Sequence, residues 1–87
     1  MVENRGDAYE RIKLLVRDRE HTSIKFKIRK NTLLKKLMNA YCVRTGMDMA
    51  TTRFRYDGNM LNENDTPYTT NMGEGDVIEV FQAQIGG

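Results

Sequence analysis

The fold is decided by Val77-Ile78-Glu79-Val80-Phe81-Gln82, an apolar, β-branched run near the end of the chain that has the character of a strand. The chain continues as Ala83-Gln84-Ile85 and closes on Gly86-Gly87. Residues 83–87 have neither an apolar period nor a turn signal that would fold them back onto the domain. We therefore expect a well-anchored last strand followed by a free, extended tail.

The two closing glycines could make this tail a substrate. Glycine has no Cβ, so Gly86-Gly87 can lie extended in a slot too narrow for other residues. A free α-carboxyl has a pKa of about 3.3 to 3.7, so at neutral pH it is a carboxylate and a poor acyl electrophile. Joining Gly87 to an amine therefore requires activation by another protein, for instance with ATP. A frayed end without a function explains two glycines equally well.

The composition indicates one small intracellular domain. Of the 87 residues, 39% are hydrophobic and 30% are charged, which is typical of a folded chain with a single core. The single cysteine, Cys42, excludes an internal disulfide and suits a reducing compartment. No apolar run approaches the roughly 20 residues of a membrane span, and residues 1–9 are too polar for a signal peptide. We expect residues 1–9 to form a flexible N-terminal tail.

Charge is divided unevenly along the chain, although the net charge is only +2. Residues 25–55 hold nine basic residues against Asp48 alone, whereas residues 56–87 hold six acids and neither Lys nor Arg. Blocks of this kind predict two surfaces of opposite sign. One surface could attract acidic partners and the other basic ones.

Alternating apolar residues predict an N-terminal hairpin. The apolar positions are Ile12, Leu14 and Val16 in the first run and Ile24, Phe26 and Ile28 in the second. The polar residues 18–22 between the two runs predict the turn.

The next stretch predicts the main helix. Its apolar face repeats at helical spacing through Leu34, Leu37, Met38, Tyr41 and Cys42. Thr32 is the expected N-cap. Gly46 is expected to end the helix with a positive φ, after Arg44 in the last turn.

Short elements complete the domain. Residues 53–56 predict a strand, Asp57-Gly58 a turn, and residues 59–61 a brief strand. Thr66-Pro67 predicts an N-cap followed by the first residue of a single helical turn.

One helix can cover only one face of a sheet, which predicts an α+β domain of two layers. The last strand follows the helix and carries Ile78 and Val80 to the core, so we expect it at the centre and parallel to the first strand. This is a β-grasp, a mixed sheet of four to five strands packed on one main α-helix. We assign residues 10–83 to the domain and residues 84–87 to the extended tail.

Several motifs are dispersed over this domain: Phe26-Lys27-Ile28, Leu34-Lys35-Lys36-Leu37-Met38-Asn39-Ala40-Tyr41-Cys42, Arg53-Phe54-Arg55-Tyr56-Asp57-Gly58, Asn62-Glu63-Asn64-Asp65-Thr66-Pro67 and Asp76-Val77-Ile78-Glu79-Val80-Phe81-Gln82. With them, residues 10–87 resemble the family of SUMO, the small ubiquitin-like modifier. The closing Gln84 and Gly86-Gly87 look like its processed, conjugation-ready form. Ubiquitin itself fits less well, because residues 82–85 replace its arginine-rich ending.

The resemblance implies a ubiquitin-like modifier that is not an enzyme. A SUMO-activating enzyme adenylates the Gly87 carboxylate with ATP and magnesium and forms a thioester. A conjugating enzyme then transfers the Gly87 acyl group to a substrate lysine, where it forms an isopeptide bond. Gly86 and Gly87 are the conjugation residues, and Gln82, Gln84 and Ile85 belong to the segment used in activation and processing.

The same resemblance implies a monomer of the nucleus and cytoplasm. Its further partners are SUMO ligases and proteases and proteins with SUMO-interaction motifs. We expect no cofactor, metal, membrane or direct nucleic-acid partner.

The resemblance also implies a groove between the second strand and the helix. Short aliphatic interaction motifs flanked by acids bind in this groove. An edge strand at residues 24–29 offers unpaired backbone groups to such a peptide. The expected groove residues are Lys25, Phe26, Lys27, Ile28, Arg29, Lys36, Leu37, Ala40 and Arg44. Alternation and charge alone favour a solvated strand face instead.

A third surface is implied for the back side of the conjugating enzyme. Its residues are Arg53, Asp57, Gly58, Asp76 and Val77. From the residues alone, Asp57-Gly58 is only a turn and Asp76 only a loop end.

Some positions depart from the family pattern. Residues 72–76 contain glycines where more acids are usual, and Ala83 and Ile85 replace a larger polar residue and a threonine. Thr52 and Thr70 occupy positions that are often aliphatic, which costs about 1 to 3 kcal/mol of burial each if they are interior.

Two other functions stay open. The first is a binding-only β-grasp adaptor whose tail is never activated. The second is a nucleic-acid binder using residues 25–55, which ranks last because exposed aromatics are missing there and the acids after residue 56 repel phosphate. Cys42 on the apolar helix face predicts a core thiol, and His21 in a polar turn predicts neither a metal ligand nor a base.

Overall fold

The computed structural model describes residues 10–83. Its elements, in chain order, are β1 (Arg11–Arg17), β2 (Ser23–Arg29), α1 (Leu34–Thr45), β3 (Thr52–Tyr56), β4 (Asn59–Met60) and β5 (Val77–Gln82). The predicted tail residues 84–87 and the predicted lead-in 1–9 lie outside the described residues. Within the described part, no helix is long and apolar enough to cross a bilayer.

The five strands form one mixed sheet in the order β2-β1-β5-β3-β4. β5 runs parallel to β1, with Leu15 opposite Val77, and antiparallel to β3, with Phe54 opposite Val80. The central position predicted for the last strand is therefore confirmed. Its inward residue Ile78 is completely buried in the core that the sheet shares with the helix.

The helix packs on one face of this sheet and closes a single core. The core side chains are Ile12, Leu14, Val16, Leu34, Leu37, Met38, Tyr41, Cys42, Phe54, Met72, Ile78 and Val80. Tyr41 at its centre meets Phe54 edge-on, with the ring centroids 5.9 Å apart. The opposite face of the sheet has no covering layer within the described residues.

The helix begins differently from the prediction. Leu33, not Thr32, is the N-cap residue, and its backbone is extended with no side-chain cap. The carbonyls of Asp65 and Glu63 accept the amide protons of Leu34 and Lys35 instead, at 2.8 and 3.1 Å. The helix ends as predicted, because Gly46 has a φ of 79° and donates its amide to the Cys42 carbonyl.

The predicted turns are confirmed. Asp57 and Gly58 have φ values of 54° and 82°, so the β3–β4 hairpin turns through two left-handed residues. The Thr66 hydroxyl oxygen accepts the amide proton of Thr69 at 3.0 Å, as an N-cap does.

Thr52 is the interior threonine, only 5% exposed. Its hydroxyl donates to the Asp48 carbonyl at 2.6 Å. The half-buried Thr70 donates in the same way to the Thr66 carbonyl at 2.8 Å. These hydrogen bonds offset the polarity of both side chains, so neither hydroxyl is left unsatisfied.

Candidate docking surfaces

β2 forms one edge of the sheet, so it has a strand partner on one side only. Its inward side chains Ile24, Phe26 and Ile28 are half-buried beside the helix. An extended peptide can add to such an edge through its backbone and place its own side chains against the half-buried residues.

A groove of about 320 Å³ follows this edge between β2 and α1. It is lined by Arg11, Phe26, Lys27, Ile28, Arg29, Thr32, Lys36, Leu37 and Ala40. Seven of these residues are among those expected from the sequence. Arg11 and Thr32 were not among them. Arg11 was missed because only the strand register, in which it lies opposite Arg29, brings it to this edge, and Thr32 was expected to be the helix N-cap instead.

Two expected groove residues lie beside the groove. Lys25 lies opposite Leu15 of β1 and is not among the lining residues, although it shares a face of β2 with Lys27 and Arg29. The Arg44 guanidinium lies over the Phe26 ring, 5.8 Å from its centroid, and so extends the basic rim from the helix side.

The charge of the groove has one sign. Among residues 10–83, its charged lining residues are Arg11, Lys27, Arg29 and Lys36, and none is acidic. The floor combines the completely buried Leu37 with the half-buried Phe26 and Ile28. Such a site favours an aliphatic peptide that carries carboxylates or phosphates.

The fold brings together some, but not all, of the residues expected at the conjugating-enzyme surface. The Tyr56 hydroxyl donates to Asp76 Oδ2 at 2.7 Å, which ties the loop before β5 to the end of β3, next to Asp57-Gly58. This hydrogen bond, together with burial, raises the pKa of Tyr56 to about 12. Arg53 lies at the other end of β3, where it donates to the Ala50 carbonyl at 3.1 Å.

The glycine-containing loop before β5 is tightly held. Gly75 donates its amide to the Lys13 carbonyl at 2.7 Å, and the Lys13 amide donates to Glu74 Oε1 at 3.0 Å. Asp76 Oδ2 also accepts the Gly73 amide at 2.8 Å. The loop thus holds Val77 beside Leu15. Leu15 is half-buried and belongs to the same surface, although the sequence alone did not assign it there.

The end of β5 positions the start of the tail. Gln82 is its last residue and is exposed, and Ala83 donates its amide to the Thr51 carbonyl at 2.8 Å. The expected tail residues Gln84, Ile85, Gly86 and Gly87 lie outside the described residues. Cys42 is a core thiol, 4% exposed, as predicted.

The sheet order, the single helix and the edge groove define a ubiquitin-like β-grasp protein. Residues 12–82 match the family described as Ubiquitin-2 like Rad60 SUMO-like. A solved structure named Caldiarchaeum Subterraneum Ubiquitin has a TM-score of 0.78 at 18% identity, over 88% of this chain and 99% of that chain, and shows the fold.

Small ubiquitin-related modifier 2 of Homo sapiens is 46% identical over 78 residues, which are 90% of this chain and 82% of that protein. The same protein of Gallus gallus matches with the same figures. The chain therefore belongs to the SUMO-like family. It is a SUMO-like modifier, and its relatives are modifier proteins rather than enzymes.

Proposed function

We propose that this modifier is attached to substrate lysines through the carboxylate of Gly87. The observation that carries the proposal is the central position of β5, whose end is fixed by the hydrogen bond from Ala83 to Thr51. The four residues 84–87 can span at most about 14 Å when extended. A domain whose last strand ends this close to Gly87 suits an enzyme that grips the domain and receives the Gly87 carboxylate at its active site.

The chemistry proceeds in balanced steps. The Gly87 carboxylate attacks the α-phosphorus of ATP on the activating enzyme, forming an acyl adenylate and releasing pyrophosphate. A cysteine thiolate displaces AMP and forms a thioester, which is exchanged onto the conjugating enzyme's cysteine. A lysine amine then attacks the thioester carbonyl, forming the isopeptide and releasing the thiol. This chain supplies the acyl group, and the activating enzyme holds the ATP and magnesium.

The two described surfaces serve as docking sites in this scheme. The groove beside β2 takes short aliphatic segments with acidic flanks, which is supported by its apolar floor and basic rim. The surface at Asp57-Gly58, Asp76 and Val77 contacts the conjugating enzyme, supported by the hydrogen bond that joins its two halves. Arg53 contributes from further along β3.

Thioester formation tests the proposal. The chain is mixed with SUMO-activating and SUMO-conjugating enzymes, magnesium and ATP, and the products are followed by intact mass and non-reducing gel. We expect an ATP-dependent adduct with the conjugating enzyme that thiol cleaves and that is absent when Gly86 and Gly87 are removed. No adduct, with the same enzymes active on another SUMO, would contradict the proposal and favour the binding-only adaptor.

A further inference from the structure

The face of the sheet opposite the helix, which we call the open face, is strongly basic. Strand alternation directs eight basic side chains to it: Arg11, Lys13, Arg17, Lys25, Lys27, Arg29, Arg53 and Arg55. Three of them, Arg11, Lys27 and Arg29, stand at the sheet edge and also line the groove. The strands contribute one acid to the same face, Glu79. This excess of positive charge is not evident from the net charge of +2.

The strand register places like charges opposite each other on this face. Arg11 lies opposite Arg29, and Lys13 lies opposite Lys27. Like charges at directly opposed positions destabilise a sheet. Within residues 10–83, two acids offset part of this charge. Glu79 pairs with Arg55 at 3.0 Å and with Arg17 at 3.9 Å, and Glu74 pairs with Lys13 at 4.0 Å. The repulsion that remains lies mainly between β1 and β2, where Arg11 faces Arg29 and Lys13 faces Lys27, and an anionic partner can offset it.

The acids after residue 56 mostly lie elsewhere. Asp57 is in the β3–β4 turn, and Glu63 and Asp65 lie beside the first turn of α1, where their carbonyls cap the helix. The Asp76 carboxylate is bound to the Tyr56 hydroxyl and the Gly73 amide. From the sequence alone, repulsion between these acids and phosphate disfavoured a nucleic-acid partner. In the fold these four acids lie away from the open face, so they do not repel a phosphate bound there.

A cavity of about 390 Å³ adjoins one end of the open face, where β1 ends at Arg17 and β5 continues. Its basic lining residues are Arg17, Arg19, His21 and Arg55. The acids Glu79 and Asp18 share this lining. Glu79 pairs with Arg55 at 3.0 Å, and one carboxylate oxygen of Asp18 accepts the amides of Glu20 and Thr22 in its own turn. The cavity is large enough for a phosphate and its sugar.

We propose that the open face binds the phosphate backbone of double-stranded DNA without sequence preference. Alternate residues of a strand lie about 6.7 Å apart and neighbouring strands about 4.8 Å apart, so the cations of β1 and β2 form an array whose spacing suits repeated phosphates. Within the described residues, this face presents strands and no helix to the ligand, which favours contacts to phosphates over contacts to base edges. The proposal goes beyond conjugation and does not depend on it.

Two features favour this ligand over an acidic peptide or a single strand. The central strands β1 and β5 are paired on both sides, so a peptide finds no strand edge at the middle of the face. Phe81 is covered by the Arg55 guanidinium, 5.3 Å from its centroid, so it offers no free stacking platform for unpaired bases.

The test uses fluorescence anisotropy of a labelled 20-base-pair DNA duplex between about 50 and 200 mM NaCl, a range over which phosphate contacts weaken steeply. The full chain is compared with Arg17→Gln/Arg19→Gln on this surface and with Lys30→Gln/Lys35→Gln on the helix side. Both variants lose the same charge. Circular dichroism checks that they fold, and thioester formation by the Arg17→Gln/Arg19→Gln variant checks that the tail remains usable.

We expect the first variant to bind about tenfold more weakly, with a salt slope reduced by about 2, because each lost phosphate contact removes about 0.9 from the slope. The control variant is expected to bind within about threefold of the parent. Absence of binding at 50 mM NaCl, or equal weakening by both variants, would overturn the proposal. Competition by a polyglutamate peptide as effective as unlabelled duplex of equal charge would overturn it in favour of an acidic protein partner.

Discussion

The Tyr56 hydroxyl donates a hydrogen bond of 2.7 Å to Asp76 Oδ2, and the two residues are 20 positions apart in the chain. This contact joins the end of β3 to the loop that leads into the central strand. The same carboxylate oxygen accepts the Gly73 amide, so one acid organises both sides of the proposed conjugating-enzyme surface.

Removing the Tyr56 hydroxyl should destabilise this junction. We expect Tyr56→Phe to lower the free energy of unfolding at pH 7 by about 1 kcal/mol, because a partly buried carboxylate loses one donor while keeping the Gly73 amide. Urea denaturation measures the change. An unaltered midpoint would show that the hydrogen bond contributes nothing.

The contribution of Tyr56 should depend on pH in one direction. Its pKa is raised from 10.0 to about 12, first by the hydrogen bond to Asp76 and then by burial. The folded state therefore favours the neutral phenol, so the stabilisation is fully present below pH 10 and is lost as the pH rises through 12. The stability difference between the parent and Tyr56→Phe should shrink over that interval, and a constant difference up to pH 12 would contradict the assignment.

Gly58 should resist substitution because its φ is 82°. We expect Gly58→Ala to destabilise the fold by about 1 to 2 kcal/mol, the cost of a left-handed conformation for an L-residue. Gly73→Ala is the matched control, since an added Cβ there meets nothing within 4 Å and its φ is not positive. Thermal unfolding compares the two, and equal melting temperatures would refute the role of the turn.

A charge placed in the groove should block peptide binding without unfolding the domain. Ala40 is exposed on α1 and lines the groove. The carboxylate of Ala40→Glu would repel the acidic residues of the peptide, and it would lose hydration at a cost when an aliphatic side chain packs against it. We expect at least tenfold weaker binding of a synthetic Val/Ile peptide followed by aspartates, measured by calorimetry.

Val43→Glu is the control for the groove, because Val43 is 82% exposed on the same helix and does not line it. Its affinity for the peptide should stay within about threefold of the parent. A similar loss in both variants would place peptide binding elsewhere.

Cys42 should be inert in the native protein. Because its side chain is 4% exposed in the core, a thiol reagent reaches it only after unfolding. We expect the labelling rate to be on the order of a thousandfold lower than in denaturant, because a small domain of ordinary stability is unfolded for only a very small fraction of the time. Fast native labelling, or loss of the thioester with the conjugating enzyme in Cys42→Ala, would contradict a purely structural thiol.

Much of the architecture could be predicted from local patterns. The alternation through Ile12, Leu14 and Val16 and the apolar run around Ile78 and Val80 indicate which side chains are buried, and that burial requires a central last strand. Periodicity is a local property of the sequence and is retained in the fold.

The predictions that failed involve long-range contacts. Thr32 satisfies the local rule for an N-cap, but the carbonyls of Glu63 and Asp65 satisfy the helix donors from about 30 residues away in the chain. The inclusion of Arg11 in the groove depends on its register with Arg29. No local pattern encodes either contact, because each depends on how distant segments meet.

The central claim is that Gly87 is the acyl group transferred to lysine. Conjugates formed with the two enzymes, ATP and a substrate protein can be digested after glutamate, which cuts at Glu79 and leaves residues 80–87 on the modified lysine. Tandem mass spectrometry should then show this octapeptide joined through Gly87 to the lysine Nζ. An unmodified substrate, under conditions in which another SUMO is attached, would contradict the account.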